Sequence, residues 1–385
     1  MVCQDLFREI DQMEEEFLQM WEDVCNIESP TDYKVGVDAV GEYFVSTAQK
    51  FGLPSEICAQ KVSGNAICIT MNGESKERPV CFSGHIDTVH PVGSFGTPAA
   101  HRDEEWIYGP GVADCKGGAV AGLYAMVALK KIGFTKRPVK LILQSDEENS
   151  SITSQKATVR FMCEQSKNAL AFLNTEPGDG DYGTIQRKGI ARYVLTVRGK
   201  AAHSSLCYKG INAVCEAAHK IIALEKMKDA EGLTCNCGVI SGGTVANSVA
   251  EECTFLADIR FANEEQYQWA DKRVREIAAT SYLEGSTCQV TAKSYRCSME
   301  RVERNVALLA TMNEIYRENG LPTLRENFAN GGSDAADLTA FGIPCVDSLG
   351  VGYYGTHSVR EKAPLCSLKE TAKRLASVAF CLDEK

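Results

Sequence analysis

Apolar residues recur along the chain with the spacings that distinguish helices from strands. Near the N-terminus they recur every three or four positions, which predicts amphipathic helices over residues 4–25 and about residues 37–48. An alanine-rich apolar run predicts a third helix from Gly117 to about Lys131. Strands alternating with helices are typical of a parallel or mixed sheet covered on both faces. Short continuous apolar runs predict its buried strands, at residues 79–84, 139–144 and 171–174.

The pattern changes near residue 185 and returns to the first type near the C-terminus. The order of the elements between is strand, helix, strand, strand, helix, strand, which is that of a small α+β domain. We therefore predict an α/β fold with a mixed, largely parallel sheet, formed by residues 1–182 and 297–385, and a smaller inserted domain over residues 183–296. Ser367 and Glu370 form a Ser-x-x-Glu capping box, which predicts the start of the last helix. The elements predicted for the inserted domain are strands at 192–197, 234–241, 252–260 and 287–294 and helices at 212–226 and 264–279.

The composition and charge of the chain exclude several classes of protein. The net charge is -10, and the chain lacks the concentration of Lys and Arg that nucleic-acid binding requires. No apolar run reaches the roughly 18–20 residues of a membrane helix. The acidic, amphipathic N-terminal segment lacks the features of a signal peptide, so we expect a cytoplasmic protein. The 17 cysteines contain no Cys-x-x-Cys pair and are expected to be reduced thiols.

Residues that can carry chemistry follow the predicted strands. His85 and Asp87 come directly after the first buried strand. A neutral imidazole is a good zinc ligand, and a carboxylate two residues later can hold the proton of the other ring nitrogen. Asp114 lies in the glycine-rich segment 108–118, just before a predicted helix. It could be a simple helix N-cap, but such a cap does not need this many glycines.

Further acids follow the next two strands. Asp146, Glu147 and Glu148 are adjacent, and three such carboxylates repel each other unless a cation or solvent neutralises them. A solvated loop is the alternative, but the end of a buried strand favours a cation. Adjacent carboxylates can also divide the work, one binding metal and the other abstracting a proton from bound water. Glu176 ends the next strand, and His357 lies near the C-terminus.

The order of these segments is specific. Gly-His-x-Asp-Thr, Gly-x-x-Asp-x-Lys-Gly-Gly, Asp-Glu-Glu, Thr-Glu-Pro and Gly-Thr-His follow one another from about residue 80 to the end. This order resembles the co-catalytic zinc peptidase family of aminoacylase, glutamate carboxypeptidase, acetylornithine deacetylase and succinyl-diaminopimelate desuccinylase. The resemblance implies two Zn²⁺ ions per chain, for which Co²⁺ or Mn²⁺ could substitute. It implies that Asp114 bridges them, that His85 and Glu176 bind one, and that Glu148 and His357 bind the other.

The resemblance also implies a mechanism. Two zinc ions about 3.5–4 Å apart share a hydroxide and polarise the scissile carbonyl group. Glu147 matches the general base that takes the proton from this water and passes it to the leaving amine. Asp87 matches the hydrogen-bonding partner of His85. The family also has a non-proline cis peptide bond after the bridging aspartate, here Asp114–Cys115. Cys115 itself is interpreted as a packing residue.

The inserted domain resembles the family in its substrate-binding segments. His203 matches a histidine that reaches the active site of the neighbouring subunit and stabilises the oxyanion, which implies a homodimer through this domain. A surface histidine at a helix start is the alternative. Asn247 and Arg260 match segments that hold a substrate carboxylate, for which arginine is the natural partner. Arg260 could equally be a salt-bridged surface residue. The loop with Gly331, Gly332 and Ser333 matches a loop that lines the substrate site in the family.

These observations predict a metal-dependent hydrolase that cleaves a peptide or N-acyl amide bond in a small substrate with a free carboxylate. Glutamate carboxypeptidase-like activity is the first choice. Aminopeptidases of the family that the chain resembles tend to have aspartate where Glu176 stands, which favours a carboxypeptidase or a deacylase. The alternatives are an N-acyl amino acid deacylase or a dipeptidase of the same family, or an inactive amino-acid-binding relative. The complete ligand set and Glu147 argue against inactivity. A serine hydrolase is disfavoured, because the segment 331–335 lacks the closing glycine of a nucleophile elbow.

Overall fold

The structure is a computed structural model that describes residues 3–230 and 232–383. In this part of the chain it contains ten α-helices, a short 3-10 helix (Ser204–Lys209) and fifteen strands. The helices are α1 (Gln4–Gln12), α2 (Glu14–Asn26), α3 (Lys34–Lys50), α4 (Lys116–Lys131), α5 (Ala157–Gln165), α6 (Ala213–Glu225), α7 (Glu264–Ala279), α8 (Glu303–Glu318), α9 (Ala335–Ala340) and α10 (Leu365–Cys381). The strands are β1 (Ser55–Cys58), β2 (Ala66–Met71), β3 (Val80–His85), β4 (His101–Arg102), β5 (Trp106–Tyr108), β6 (Val139–Gln144), β7 (Ala171–Asn174), β8 (Tyr182–Arg187), β9 (Gly189–Arg198), β10 (Thr234–Gly242), β11 (Glu252–Phe261), β12 (Thr287–Arg296), β13 (Arg325–Ala329), β14 (Cys345–Val346) and β15 (Lys362–Pro364).

The chain divides into two compact units. Unit 1 comprises Met1–Ile185, Arg301–Phe328 and Ser333–Lys385, and unit 2 comprises Gln186–Glu300 and Ala329–Gly332. Each unit has its own hydrophobic core. No helix among the described residues is both long enough and apolar enough to cross a lipid bilayer.

Unit 1 is built on a six-stranded sheet in the order β1-β2-β6-β3-β7-β14. The strands β6, β3, β7 and β14 run parallel, whereas β1 and β2 pair antiparallel at one side. The predicted α/β fold with a mixed, largely parallel sheet is therefore confirmed. In the sheet register His85 lies opposite Gln144, and Ser83 lies opposite Asn174. The carboxyl ends of β3, β6 and β7 thus meet at one edge, where functional loops of such sheets gather.

Helix α4 packs on β3 and β6, and its first turn lies at this edge of the sheet. It is buried along nearly its whole length, as its small and apolar residues allow. A Cβ atom at Gly118 would lie 2.3 Å from the carbonyl oxygen of Thr175, so only glycine fits there. The indole nitrogen of Trp21 on α2 donates a hydrogen bond to the carbonyl of Val112, just before α4. These contacts hold the glycine-rich loop next to the ends of β3 and β7.

Two predicted helix boundaries in unit 1 are wrong. The helix predicted over residues 4–25 is two helices that break at Met13, which allows α1 to contact α10 while α2 packs on α4. The last helix begins at Leu365, and its N-cap is Pro364. The hydroxyl group of Ser367 donates to the carbonyl of Pro364 at 2.6 Å. Ser367 therefore lies inside the first turn and forms no capping box.

Unit 2 has a four-stranded antiparallel sheet in the order β10-β11-β9-β12, with α6 and α7 packed on it. Its elements follow the predicted order of strand, helix, strand, strand, helix, strand. Both helices begin as their sequences suggest, because Asn212 and Asn263 accept hydrogen bonds from backbone N–H groups of the first turns. Alternate residues of β11 face the core of the unit, which leaves Asp258 and Arg260 on the opposite face.

Candidate metal centre

The carboxylate of Asp114 lies between two histidines. Its Oδ1 is 3.0 Å from Nε2 of His85, and its Oδ2 is 3.1 Å from Nε2 of His357. Oε1 of Glu176 is 3.9 Å from Nε2 of His85, whereas Oε2 of Glu148 is 3.5 Å from Nε2 of His357. The five predicted ligands thus form two groups that share Asp114, each with one imidazole and one further carboxylate.

Different elements of unit 1 supply these side chains. His85 is the last residue of β3, and Glu148 and Glu176 lie in the loops after β6 and β7. Asp114 lies two residues before α4. His357 is on the loop before β15, has a positive φ of 60°, and its side chain is 58% exposed. The side chains of the other four ligands are at most 13% exposed, so His357 stands on the open side of the site.

The carboxylates are crowded in a buried place. Burial raises the pKa of Glu148 well above its ordinary value, and the charge of Asp114 adds to this. Burial also raises the pKa of Glu176, with a further contribution from the charge of Glu147. Buried carboxylates at such short separations are stable as anions only when positive charge lies between them. The site is therefore built to accept cations.

The pKa values of the two histidines are also raised, but by hydrogen bonds to carboxylates rather than by burial. Burial alone would lower the pKa of His85, but its hydrogen bonds with Asp114 and Asp87 outweigh this and raise it. The hydrogen bond with Asp114 raises the pKa of His357. Burial alone would raise the pKa of Asp114, but its hydrogen bonds with His357 and His85 outweigh this and lower it. Raised pKa values favour the protonated imidazoles, and metal binding to such a site would release these protons.

Asp87 connects His85 to the acidic turn after β6. Its carboxylate accepts hydrogen bonds from the backbone N–H groups of Glu147 at 3.1 Å and Glu148 at 3.2 Å, and from the hydroxyl of Thr31 at 2.7 Å. Nδ1 of His85 lies 3.0 Å from the backbone carbonyl of Asp87 and 3.4 Å from Oδ1 of its carboxylate. Asp87 therefore orients the imidazole and holds the turn that carries Glu147 and Glu148. The side chain of Glu147 is buried beside them.

The donor set fits zinc. Imidazole nitrogens and carboxylate oxygens are its common protein ligands, and atoms of His85, Asp114 and Glu148 lie within 4.8 Å of one another. A second such group consists of His85, Cys115 and Glu176. The thiol of Cys115 is buried and donates to the carbonyl of Thr175 at 2.8 Å, as expected of a packing residue. The peptide bond Asp114–Cys115 is cis, as the resemblance implied.

Sequence reasoning missed Glu361 and His90. Glu361 is 1% exposed, and its Oε1 accepts hydrogen bonds from the backbone N–H groups of Ala113 and Asp114, both at 3.0 Å. Its Oε2 accepts from the N–H of Gly111 at 3.2 Å and lies 2.9 Å from Nε2 of His90. No local pattern marks a single glutamate four residues after His357, so only the folded chain shows this contact.

Unit 2 holds the predicted oxyanion and carboxylate-binding residues. His203 is exposed, and its Nδ1 accepts a hydrogen bond from the N–H of Ser205 at 3.3 Å, at the start of the 3-10 helix. Asn247 is also exposed, and its carbonyl accepts from the N–H of Ser204 at 2.9 Å. His203 and Asn247 therefore lie on adjacent segments. In this structure His203 has the helix-start position that was its alternative interpretation.

Arg260 and the predicted substrate-lining loop have partners within the chain. Nε of Arg260 donates to Oδ1 of Asp258 at 2.6 Å, so Arg260 is salt-bridged in this structure. The carbonyl of Gly331 accepts a hydrogen bond from Arg187, and Gly332 follows it. Ser333 is fully buried, and its hydroxyl donates to Asp347 at 2.5 Å. The side chain of Ser333 is thus committed to the interior, and only the backbone of the loop is retained as a predicted substrate contact.

The chain is similar in sequence to known proteins. The model of peptidase family M20/M25/M40 matches residues 81–380. Carboxypeptidase G2 of Pseudomonas sp. (strain RS-16) is 28% identical over 367 residues, covering 93% of this chain and 86% of the relative. Succinyl-diaminopimelate desuccinylase of Helicobacter hepaticus is 25% identical over 308 residues, covering 75% and 76%.

Solved structures share the fold. Aminopeptidase PepT of Bacillus cereus has a TM-score of 0.77 at 21% identity, covering 95% of this chain and 98% of that structure. The metallo-carboxypeptidase Sso-CP2 of Sulfolobus solfataricus has a TM-score of 0.76 at 17% identity, with the same coverage of both chains. At these identities the likeness concerns the fold alone.

Proposed function

The chain belongs to peptidase family M20/M25/M40, and on that premise we propose that it hydrolyses an amide bond in a small substrate that carries a free carboxylate, using two metal ions. Membership of this family makes the chain a metal-dependent hydrolase. The observation that carries the two-metal proposal is the position of Asp114, whose oxygens face His85 and His357 separately. A carboxylate in that position is suited to bridging two cations.

The proposed cofactors are two Zn²⁺ ions, with Co²⁺ or Mn²⁺ as possible substitutes. His85 and Glu176 would hold one ion, Glu148 and His357 the other, and Asp114 both. Two bound zinc ions would polarise the scissile carbonyl and acidify a water molecule.

Glu147 is the proposed general base. Its backbone is fixed by Asp87, and its charge is close enough to Glu176 to contribute to the raised pKa of that carboxyl. Glu147 would accept a proton from the attacking water and deliver it to the departing amine. The division of work between Glu147 and its neighbour Glu148 lets one carboxylate move a proton while the other binds metal.

We favour a carboxypeptidase of the glutamate carboxypeptidase type. The support is the similarity to carboxypeptidase G2, which extends over 93% of the chain. Arg260 and Asn247 are the proposed partners of the substrate carboxylate, because a guanidinium forms paired hydrogen bonds with that group. Arg260 would have to exchange its bond to Asp258 for one to the substrate.

An N-acyl amino acid deacylase is the second candidate. Succinyl-diaminopimelate desuccinylases recur among the relatives, at 25% identity over 75% of this chain in one case and 26% over 79% in another. These enzymes are named for removing an acyl group, and both candidate reactions cleave an amide bond beside a carboxylate.

We further propose a homodimer in which His203 of the partner subunit completes each active site. The support is the segment Ala-Ala-His-Ser-Ser around this residue and its exposure on unit 2. The imidazole would donate a hydrogen bond to the oxyanion that develops on the substrate carbonyl.

A substrate panel with zinc- or cobalt-loaded protein tests the proposed reaction. It should pair N-acyl and peptidyl glutamates with their C-terminal amides, and include N-succinyl-diaminopimelate and unblocked dipeptides. We expect cleavage of the free acids and at least tenfold slower cleavage of the amides. Preference for the succinylated substrate would favour the deacylase, and cleavage of unblocked dipeptides alone would favour a dipeptidase. No cleavage by a metal-loaded protein would point to an inactive binding protein.

A further inference from the structure

We propose that Glu361 is a positioning residue that fixes the bridging carboxylate of Asp114 relative to His357, and that the two-metal site depends on it. This inference rests on the proposed two-metal function. Glu361 lies outside the five proposed ligands and is separated by 247 residues along the chain from Asp114, whose backbone it binds.

Glu361 binds the backbone of the loop that carries Asp114. The backbone N–H groups of Gly111, Ala113 and Asp114 all point to the carboxylate of Glu361, at distances of 3.0 to 3.2 Å. Converging amides of this kind form a concave site for an anion. Because the loop is buried, these donors would be unsatisfied without Glu361, at a considerable cost for each. Glu361 therefore holds the backbone of the bridging residue itself.

Glu361 also belongs to the loop that carries His357. Tyr354 and Lys362 exchange two backbone hydrogen bonds, of 2.9 and 3.0 Å, and so close the loop between them. Inside it the N–H of Glu361 donates to the carbonyl of Ser358 at 3.0 Å. The ammonium of Lys362 lies 4.0 Å from the centre of the Trp106 ring, which attaches the loop to β5. Glu361 is thus an anchored part of the segment that presents His357.

Together these contacts make one carboxylate the link between two ligand-bearing loops. Asp114 reaches both histidines at 3.0 and 3.1 Å, so a small shift of its backbone would lengthen one contact or the other. The buried ammonium of Lys116, two residues after Asp114, adds a favourable charge near Glu361. Residues that orient metal ligands typically change metal affinity by about 10–100-fold when replaced. We expect Glu361 to act in this way.

The variant Glu361→Gln keeps the shape of the side chain and removes its charge. The NH₂ group of the substituted side chain would face either the backbone N–H groups of Ala113 and Asp114 or that of Gly111. Two donors cannot form a hydrogen bond with each other, so at least one of these N–H groups would lose its acceptor. We expect the variant to bind the first or the second Zn²⁺ ion about 10–100-fold more weakly than the wild type. The measurement is titration of metal-free protein in competition with a chromophoric chelator, with stoichiometry checked by native mass spectrometry. Circular dichroism and thermal unfolding of the metal-free forms report the fold.

Unit 2 offers a matched control. Glu216 is also fully buried and accepts hydrogen bonds from the backbone N–H groups of Tyr282 and Leu283, the latter at 2.7 Å, but unit 2 contains none of the proposed metal ligands. Glu216→Gln should therefore lower stability and leave both zinc affinities unchanged. Equal losses of affinity in both variants would show a general effect of removing a buried charge and would overturn the proposal.

A second variant guards against misfolding. Glu361→Asp keeps the charge and shortens the reach, and it should weaken zinc binding in the same direction. A folded Glu361 variant with wild-type affinity at both sites would overturn the proposal, as would failure of both variants to fold, since Glu361 would then be a folding residue. If the wild-type protein itself binds one zinc ion, the two-metal function fails first, and that result is read from the wild type alone.

Discussion

The candidate site residues of the two units differ in their burial and in the partners they contact. In unit 1 the side chains of His85 and Asp114 are 1% and 13% exposed and are already joined by a hydrogen bond. In unit 2 His203 and Asn247 are exposed, and Arg260 is occupied by Asp258. The proposed metal ligands are therefore preorganised by the chain, whereas the proposed substrate-binding residues of unit 2 would have to form their functional contacts when a substrate or a second subunit binds. Variants in the two units should fail in different ways.

The largest effect is expected in unit 1. Glu147→Gln should keep both metal ions and lower turnover by about 10²–10⁴-fold, the usual cost of losing a general base. Glu148→Gln is the contrasting variant, because it removes a proposed ligand and should weaken metal binding as well. Turnover and metal content measured on the same preparations separate the two roles. Near-normal turnover in a metal-replete Glu147→Gln protein would remove Glu147 from the mechanism.

In unit 2 His203→Ala should lower turnover by about 10²–10³-fold, the usual effect of losing one oxyanion donor, with metal content unchanged. The trans arrangement is tested by mixing it with Glu147→Gln subunits. A mixed dimer has one site with both groups intact, so random pairing should restore roughly a quarter of wild-type activity. No recovery in a verified mixed dimer, or full activity in a monomer, would show that His203 does not act across an interface.

A smaller effect should follow from Arg260→Ala. If Arg260 binds the substrate carboxylate, cleavage of free-acid substrates should fall by about 10–100-fold, while cleavage of the amides changes little, since hydrogen bonds to charged groups contribute about 1.5–3 kcal/mol. Arg192→Ala is the matched control, because Nε of Arg192 also donates to Asp258, at 2.8 Å. It should not change the ratio of acid to amide cleavage. Equal losses on both substrate types would make Arg260 structural.

The smallest effect concerns stability in unit 2. Burial opposes the charge of Asp258, but hydrogen bonds from Arg260 and Arg192 outweigh it and lower its pKa. A carboxyl with a lowered folded-state pKa stabilises the fold above its unfolded pKa, near 4, and this contribution is lost as pH falls through the folded value. Arg260→Ala should therefore cost about 0.2–1 kcal/mol at pH 7 and less at pH 3. Denaturant unfolding of metal-free proteins measures the gap. A gap that widens on acidification would contradict this.

Local sequence was sufficient for the elements whose pattern is continuous. The strands β6 and β7 have the predicted bounds, because polar residues end each apolar run and so mark the end of the strand in the local sequence. The five proposed ligands stood out only through the order of their segments along the chain, which resembles that of the zinc peptidase family. The break at Met13 was missed, because the helical spacing of apolar residues continues through it.

Contacts between residues distant in sequence could not be predicted from local patterns. Glu361 binds the amides of a loop almost 250 residues earlier, and nothing in its own neighbourhood signals that contact. Ser333 was expected to line the substrate site because of its motif. Its hydroxyl is instead held by Asp347 and Asn174, which belong to other elements of the fold. Motifs therefore indicate which residues matter, whereas the directions of their side chains depend on partners distant in sequence.

We propose that Asp114 bridges two metal ions. Metal analysis of protein purified without chelator and loaded with Zn²⁺ tests it most directly, comparing the wild type with Asp114→Ala. We predict close to two ions per chain in the wild type and, in the variant, loss of at least one ion with weak retention of the other, because both groups of ligands share this carboxylate. A wild type with one tight site that Asp114→Ala leaves intact would contradict the bridged pair.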